Sequence, residues 1–393
     1  MSAKKRGVTV LGAGVTKFGE LWEDSFRALI GQAGLAAVKD AGIAGEDIDC
    51  LYVGSMSAGR FIGQEHVGAL VVDEAGLADH RIPATRVEAA DASGAAALRM
   101  GYLAILSGEA DVVVVGGVEK MTDVMDQEQT NTLAAALDQE WEAFYGATYP
   151  GLHAIMAREH MARYGTTREM MAAVAVKNHE HGALNKKAAY PFAITQDQVL
   201  RSPMVAEPLR MLDCAANVDG AAAVVLASEE FAQSASAKPV RVLASAQASD
   251  RFALADRADI TSFAATRAAA EQAYAKAGLT ARDVDVAEVH DAFTIAEIMA
   301  LEDLGFFEKG AGGKAAANGL TALQGEMPVN TSGGLKARGH PPGATGLAQV
   351  AEIVAQLRGA AGERQVRGAE IGLAHNVGGS GATAVVSIFG RMG

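Results

Sequence analysis

Cysteine is scarce in this chain: two residues, Cys50 and Cys214, in 393. Two cysteines cannot build a disulfide framework, and no C-x-x-C pair offers zinc-ligand spacing. Cys50 lies inside an apolar stretch and reads as a small buried hydrophobe. Positive charge is also in deficit, 34 Lys and Arg against 47 Asp and Glu, for a net −13. That balance argues against nucleic acid and anionic membranes as general partners, while leaving room for a local basic patch facing a phosphorylated ligand. No window of about twenty apolar residues is present, so no transmembrane helix is expected. The opening Met1-Ser-Ala-Lys-Lys-Arg-Gly is basic but leads into a strand rather than an apolar signal segment, and a reducing cytoplasm is the expected compartment. A dinucleotide fingerprint is missing too. Gly12-Ala-Gly14 follows the strand Val8–Leu11, but the third glycine of G-x-G-x-x-G would fall on Lys17, so a tight turn is expected there.

What the chain does contain is a soluble α/β composition, half apolar and 21% charged. At 393 residues it is long enough for two sizeable cores. Asp24 to Ala41 predicts a helix capped by Ser25 or Asp24 and stopped by Gly42. Ile48–Val53 predicts a strand. Asp111-Val-Val-Val-Val-Gly-Gly117 predicts a strand buried on both faces. Between them, Thr85 to Ala89 runs extended into a small polar knot, Asp91-Ala-Ser-Gly94, from which a helix of small residues starts and runs to about Ser107. The free N–H groups of a helix start suit an anion or a nucleophile. Asp before a helix is also a common N-cap.

From Glu119 to about Arg210 the strand–helix beat is lost, and the stretch is rich in Met, His, Tyr and Lys. It reads as an inserted loop domain, 119–210, carrying specificity. Its helices are expected around Leu152–Tyr164 and from a Thr167 cap. Met121, Met125, Met156, Met161, Met170 and Met171 are expected in core or pocket lining rather than a metal site. His153, His160, His179 and His181 are expected at the surface or in loops, with His153 able to border a substrate. Lys177, Lys186, Lys187 and Arg210 are expected to be solvated.

The second half repeats the first. Ala277-Gly-Leu-Thr-Ala-Arg-Asp-Val-Asp285 matches Ala41-Gly-Ile-Ala-Gly-Glu-Asp-Ile-Asp49 at a constant offset, since 278 − 42, 283 − 47 and 285 − 49 all equal 236. Further on, Asn330 to His340 takes the place of the Asp91 knot, Thr345 to Leu357 its helix and Gly368–Ala374 its strand. Two similar α/β halves are expected, 1–118 with 211–235 and 236–393, with corresponding loops meeting at one cleft. That arrangement would gather Asp91, His290, His340 and the Gly378–Gly381 loop.

Four blocks carry a family resemblance: Val87–Gly94, His290-Asp-Ala-Phe293, Gly339-His-Pro-Pro-Gly-Ala-Thr-Gly346 and His375-Asn-Val-Gly-Gly-Ser-Gly381. Over nearly its full length the chain resembles the thiolase superfamily, especially the sterol-carrier-protein-x branch and the archaeal and bacterial acetoacetyl-CoA thiolases. Pro208–Cys214 and Asp219–Ala223 also resemble that branch. The resemblance implies a five-layered α-β-α-β-α fold with two mixed sheets around central helices, in a homodimer or homotetramer. It implies acyl-CoA as substrate, with coenzyme A as substrate or product, and neither a metal nor a redox cofactor. It further implies a small zinc-ribbon and OB-fold protein as a partner of some members.

In the family a cysteine at the Asp91 position is acylated. By the same resemblance His340 activates that cysteine, His290 helps hold the thioester oxygen, and the backbone N–H groups at Asp91 and Gly379 serve oxyanion holes. His375 stands near the place of the family's second cysteine and would take its acid–base work. Ser332, Gly333, Phe293 and His153 are expected to bind substrate. Claisen chemistry needs a nucleophile, a base and donors aimed at two oxyanions. A carboxylate is a weak nucleophile toward a thioester and would give an unstable anhydride. Neither Cys50 nor Cys214, each in another block, is expected to replace the thiol. Three readings follow: a thiolase-like acyl-CoA C-acyltransferase disabled at Asp91, a retro-aldolase acting on β-hydroxyacyl-CoA, or a non-catalytic acyl-CoA-binding subunit.

Overall fold

A computed structural model describes residues 6–235 and 237–392; Met1 to Lys5 of the basic opening, and Ser236 at the expected junction of the halves, lie outside them. The strands are β1 (Val8–Val15), β2 (Cys50–Gly54), β3 (Ala84–Val87), β4 (Val112–Glu119), β5 (Met204–Ala206), β6 (Leu209–Arg210), β7 (Gly220–Ser228), β8 (Val240–Ser249), β9 (Val286–Glu288), β10 (Ile371–Gly378) and β11 (Thr383–Arg391). The helices of the first half are α1 (Phe26–Ala41), α2 (Ala58–Phe61), α3 (Val67–Glu74) and α4 (Ser93–Ser107). The irregular stretch carries α5 (Asp126–Ala134), α6 (Tyr149–Tyr164), α7 (Arg168–Ala183) and α8 (Gln196–Arg201). After α9 (Glu229–Ala232), the second half carries α10 (Ala264–Ala277), α11 (Thr294–Asp303), α12 (Gly312–Ala317) and α13 (Pro342–Leu357).

The sheet order is β3-β2-β4-β7-β1-β8-β11-β10-β9. Reading outward from the centre, β1, β7, β4 and β2 on one side answer to β8, β11, β10 and β9 on the other. Even β3 has a counterpart, because Val329 makes a parallel bridge to Ala287 of β9. The pairing directions agree: β2·β4 and β9·β10 are parallel, while β4·β7 and β10·β11 are antiparallel. The duplication extends to single hydrogen bonds. Asp49 accepts from the N–H groups of Asp111 and Val112, and Asp285, 236 residues later, from those of Glu370 and Ile371. Two separate sheets were expected, but the halves share an edge: Thr9 pairs with Arg241 and Val10 with Val240, joining them into one nine-stranded ladder.

Helices lie in three layers around this sheet. α1 and α3 pack one outer face, with Leu29, Ile30 and Val71 in the core. α10 and α11 pack the other, through Ala269, Ala273 and Leu301. α4 and α13 lie between the half-sheets, and their Leu98, Ile105, Leu347 and Ile353 share one core with β4, β7 and β8. That is the five-layered α-β-α-β-α arrangement. Of the four sequence blocks, those of Asp91 and His340 sit at the starts of these two central helices.

Gly12 and Gly14 form no turn. They lie inside β1, where a Cβ would come 2.2 Å from the Ala37 oxygen and 2.3 Å from the Ala33 oxygen of α1. Their smallness lets the helix lie directly on the strand. The four histidines expected at the surface are buried as well. His160 bridges Thr166 and Glu302, His179 meets the Phe192 carbonyl, and His181 meets that of Asn330. Lys177 is buried too, paired with Glu297 at 2.8 Å and donating to the Val329 carbonyl. Arg210 is half-buried on the Ser202 carbonyl, whereas Lys186 and Lys187 are exposed. Of the methionines, Met121, Met156 and Met171 are core residues but Met125 is exposed. Among the described residues no helix is long and apolar enough to cross a membrane.

Candidate active site

The turn before α4 places Asp91 under strain. Ala90 has φ +49°, a left-handed conformation that costs a non-glycine residue about 1–2 kcal/mol. Ser93 stabilises the turn by accepting from the Ala89 N–H and donating to the Ala90 carbonyl. Asp91 does not cap the helix. Its carboxylate turns inward and is 2% exposed. One oxygen, Oδ1, meets Nε2 of His340 at 3.1 Å. The other, Oδ2, accepts from the Tyr149 hydroxyl at 2.7 Å and the Gly379 N–H at 2.9 Å.

His340 is oriented from behind by Thr345, whose hydroxyl lies 2.7 Å from Nδ1 and itself donates to the Pro341 carbonyl. His290 stands edge-on to His340, ring centres 5.1 Å apart. The Asn376 amide donates to Nδ1 of His290 at 2.9 Å, which puts the ring proton on Nε2. Burial, reinforced by the neighbouring His340, holds His290 well below its ordinary pKa, so its ring is neutral near pH 7. The Gly379 loop is tied down by Arg257, which donates to the carbonyl and hydroxyl of Ser380. Asp91, His290, His340 and Gly379, far apart in sequence, therefore converge.

Asp91 and His340 open onto a cleft of about 460 Å³ lined also by Tyr149, Met211, Cys214 and Phe293, among others. Phe293 borders it directly, while His153 stacks on Phe293 at 4.2 Å from behind. Burial pushes the His153 pKa down to about 4. Cys214, from another sequence block, reaches the cleft. Burial and the adjacent Asp213 push its thiol up to about 12, so it supplies no thiolate at neutral pH.

Three expected residues are not brought to the site. His375 lies next to Asn376 on β10, and successive strand residues face opposite sides; its Nε2 meets Thr266 of α10 at 2.9 Å. Ser332 donates to Glu288 at 2.5 Å and accepts from Arg338, within a buried ionic cluster. Gly333 has φ +100° and packs against Gly182. Tyr149, conversely, escaped the sequence reading because it lies in the irregular stretch, and Asn376 reads in the sequence only as a member of the His375 block, with no role of its own. Among the described residues no group of three His, Cys, Asp or Glu side chains is arranged to hold a metal ion.

Burial raises the Asp91 pKa, but the hydrogen bond and charge of His340, the charge that His290 takes up at low pH and the Tyr149 hydroxyl outweigh it and bring it from 3.8 to about 2. A carboxyl depressed on folding adds stability above its unfolded pKa and loses it as pH falls through the folded one. Asp91→Asn is therefore expected to lower stability most near pH 5, with the gap narrowing between pH 4 and 2. Denaturant titrations across that range check this; a gap that stays constant to pH 2 would contradict it.

A helix-flanked duplicated sheet with a two-histidine cleft at the heads of its central helices defines a thiolase-fold protein. The chain belongs to the thiolase family: residues 8–230 match the model "Thiolase, N-terminal domain" and residues 246–391 the model "Thiolase C-terminal domain-like". It is 57% identical over 386 residues to an acetyl-CoA acetyltransferase of Methanothermobacter thermautotrophicus, covering 98% of this chain and all of that one. It is 36% identical to sterol carrier protein 2 of Gallus gallus, covering 97% of this chain and 71% of the relative. Among solved structures it is similar to an Ltp2-ChsH2(DUF35) aldolase, with a TM-score of 0.85, 28% identity and 98% of each chain covered.

Proposed function

We propose that this cleft binds acyl-CoA thioesters and retains the C–C bond machinery of an acyl-CoA C-acyltransferase, with the covalent acyl-transfer step blocked at Asp91. The observation that carries this reading is the placement of the Asp91 carboxylate. It fills the hydrogen-bonding position between His340 and the Gly379 N–H, where an acyl-enzyme would put its own oxygen. In this reading His290, fixed by Asn376, donates to the thioester oxygen where enolate charge develops. His340 is the acid–base group beside the reacting carbon, and Phe293 and Met211 border the acyl chain. Coenzyme A enters as substrate or product, and no metal or redox group is required.

A second reading has a specific observation behind it. Asp91 is an ionised carboxylate in the cleft, and the similar aldolase offers a precedent for C–C cleavage on this fold. Asp91 with His340 would then take the proton of a β-hydroxyl while the enolate rests on His290. Assembly as a homodimer or homotetramer, and with a small DUF35-type partner as the aldolase is named, belongs to this proposal. So does the division into halves 1–118 with 211–235 and 236–393 around the insertion 119–210.

Incubation with acetoacetyl-CoA and with a β-hydroxyacyl-CoA separates the readings. The blocked-transferase reading expects saturable binding of both, with no acylated protein in the mass spectrum and no new thioester. Turnover of the β-hydroxyacyl-CoA alone would move the assignment to retro-aldol cleavage. Acylation of the unaltered chain would overturn both.

A further inference from the structure

Tyr149 enters the site from the irregular stretch between the two halves of the repeat, and several contacts aim it. Thr148 caps α6 by accepting from the Gly151 N–H. The Tyr149 carbonyl meets Nδ1 of His153 at 3.0 Å. The Tyr149 ring stacks toward His153 at 6.4 Å, and His153 stacks on Phe293 of the second half. Tyr149 is half-buried with its hydroxyl turned inward, and a tyrosine hydroxyl withdrawn from water must find an acceptor. This one does not take a backbone carbonyl; it takes Oδ2 of Asp91, which also receives the Gly379 N–H.

We propose that Tyr149 is a positioning residue whose hydroxyl, paired with the Gly379 N–H, forms a donor clamp that holds the group at position 91 in its anionic form. The clamp rests on the reading of position 91 as the reactive position, but it operates before any chemistry on substrate. Burial, with the Asp91 charge and the Asp91 hydrogen bond, raises the phenol well above its ordinary pKa, so it remains a donor throughout the working range. The other titratable groups acting on the pair are His340, His290 and His153, together with Glu88, which acts on the phenol. None of these is another hydroxyl donor that could take the place of Tyr149.

The clamp is measurable without knowing the substrate. Asp91→Cys would place a thiol between the same donors, and iodoacetamide reports its ionisation: the thiolate sulfur forms a bond to carbon as iodide leaves. Background is low, because burial pushes Cys50 up to about 11 and Cys214 up to about 12, and the unsubstituted chain measures what remains. Adding Tyr149→Phe keeps the ring but removes the donor. The pH midpoint of alkylation is expected to rise by about one unit, which is on the order of a tenfold slower reaction below the midpoint. Global replacement of tyrosine by 3-fluorotyrosine, a more acidic phenol of nearly the same shape, is expected to lower the midpoint, and serves if the double variant does not fold. A midpoint unmoved by the Phe substitution, or by fluorination, overturns the clamp. Because alkylation needs no acyl-CoA, a clamp that passes this test beside a thiol that never accepts an acyl group would refute the functional reading alone.

Discussion

Asp91→Cys is expected to convert this chain into a working thiolase. Acetoacetyl-CoA thiolysis should rise by on the order of 10³-fold or more over the unaltered chain, about 4 kcal/mol of transition-state stabilisation. The reason is local. A thiol sulfur would stand where Cγ of Asp91 stands now, one bond short of the carboxylate oxygens, at the start of α4 and facing His340. Once the thioester forms, the Gly379 N–H, now occupied by Asp91, would pass from the sulfur to the acyl oxygen. His290 and Asn376 need no change. An acyl adduct on the new thiol, seen by mass spectrometry, should accompany the gain. If the variant folds, binds acyl-CoA and still fails to acylate, the two-histidine cleft is not a thiolase site.

The largest effect on stability is expected at Glu119, the last residue of β4. Its side chain is fully buried and accepts from four donors: the N–H groups of Met56, Ser57 and Gly343, and the Ser55 hydroxyl, at 2.8 to 3.2 Å. Three of these belong to the loop after β2. The fourth opens α13, the central helix of the other half. The packing around that contact leaves no slack, since a Cβ on Gly343 would come 2.5 Å from the Val118 carbonyl and 2.6 Å from that of Gly54. Glu119→Ala strands four buried donors and is expected to cost about 3–5 kcal/mol. Glu119→Gln keeps one acceptor oxygen and turns an amide toward N–H groups, so an intermediate loss is expected. Denaturant midpoints measure both, and an alanine variant within about 1 kcal/mol of the parent would refute the clasp.

The sequence made the duplicated architecture legible because the repeat is written in backbone-directing residues. Gly42 and Gly278 end helices at positive φ, and Asp49 and Asp285 collect N–H groups by the same local geometry. The convergence of Asp91, His290, His340 and Gly379 was legible for a related reason: each lies in a short block at the end of a strand or the start of a helix. Tyr149 also opens a helix, but in the irregular stretch outside those blocks, and its partner is 58 residues away. His375 and Asn376 could not be told apart without the register of β10, since one step along a strand reverses the face. The burial of His160, His179 and His181 was missed because their partners Glu302, Phe192 and Asn330 lie outside α6 and α7.

The left-handed residue at Ala90 has a twin. Asn330 also has positive φ, +56°, just beyond the strand position that answers to β3. Its side chain, however, serves as mortar: the oxygen accepts from the Val289 N–H and the nitrogen donates to Glu297. The two bends therefore do different work. The first presents its neighbour, Asp91, to His340 and the cleft, whereas the second turns its own side chain inward as the footing of the strand end that carries His290. A substitution at position 91 changes what a ligand in the cleft would meet, while one at Asn330 would loosen the support on which His290 stands.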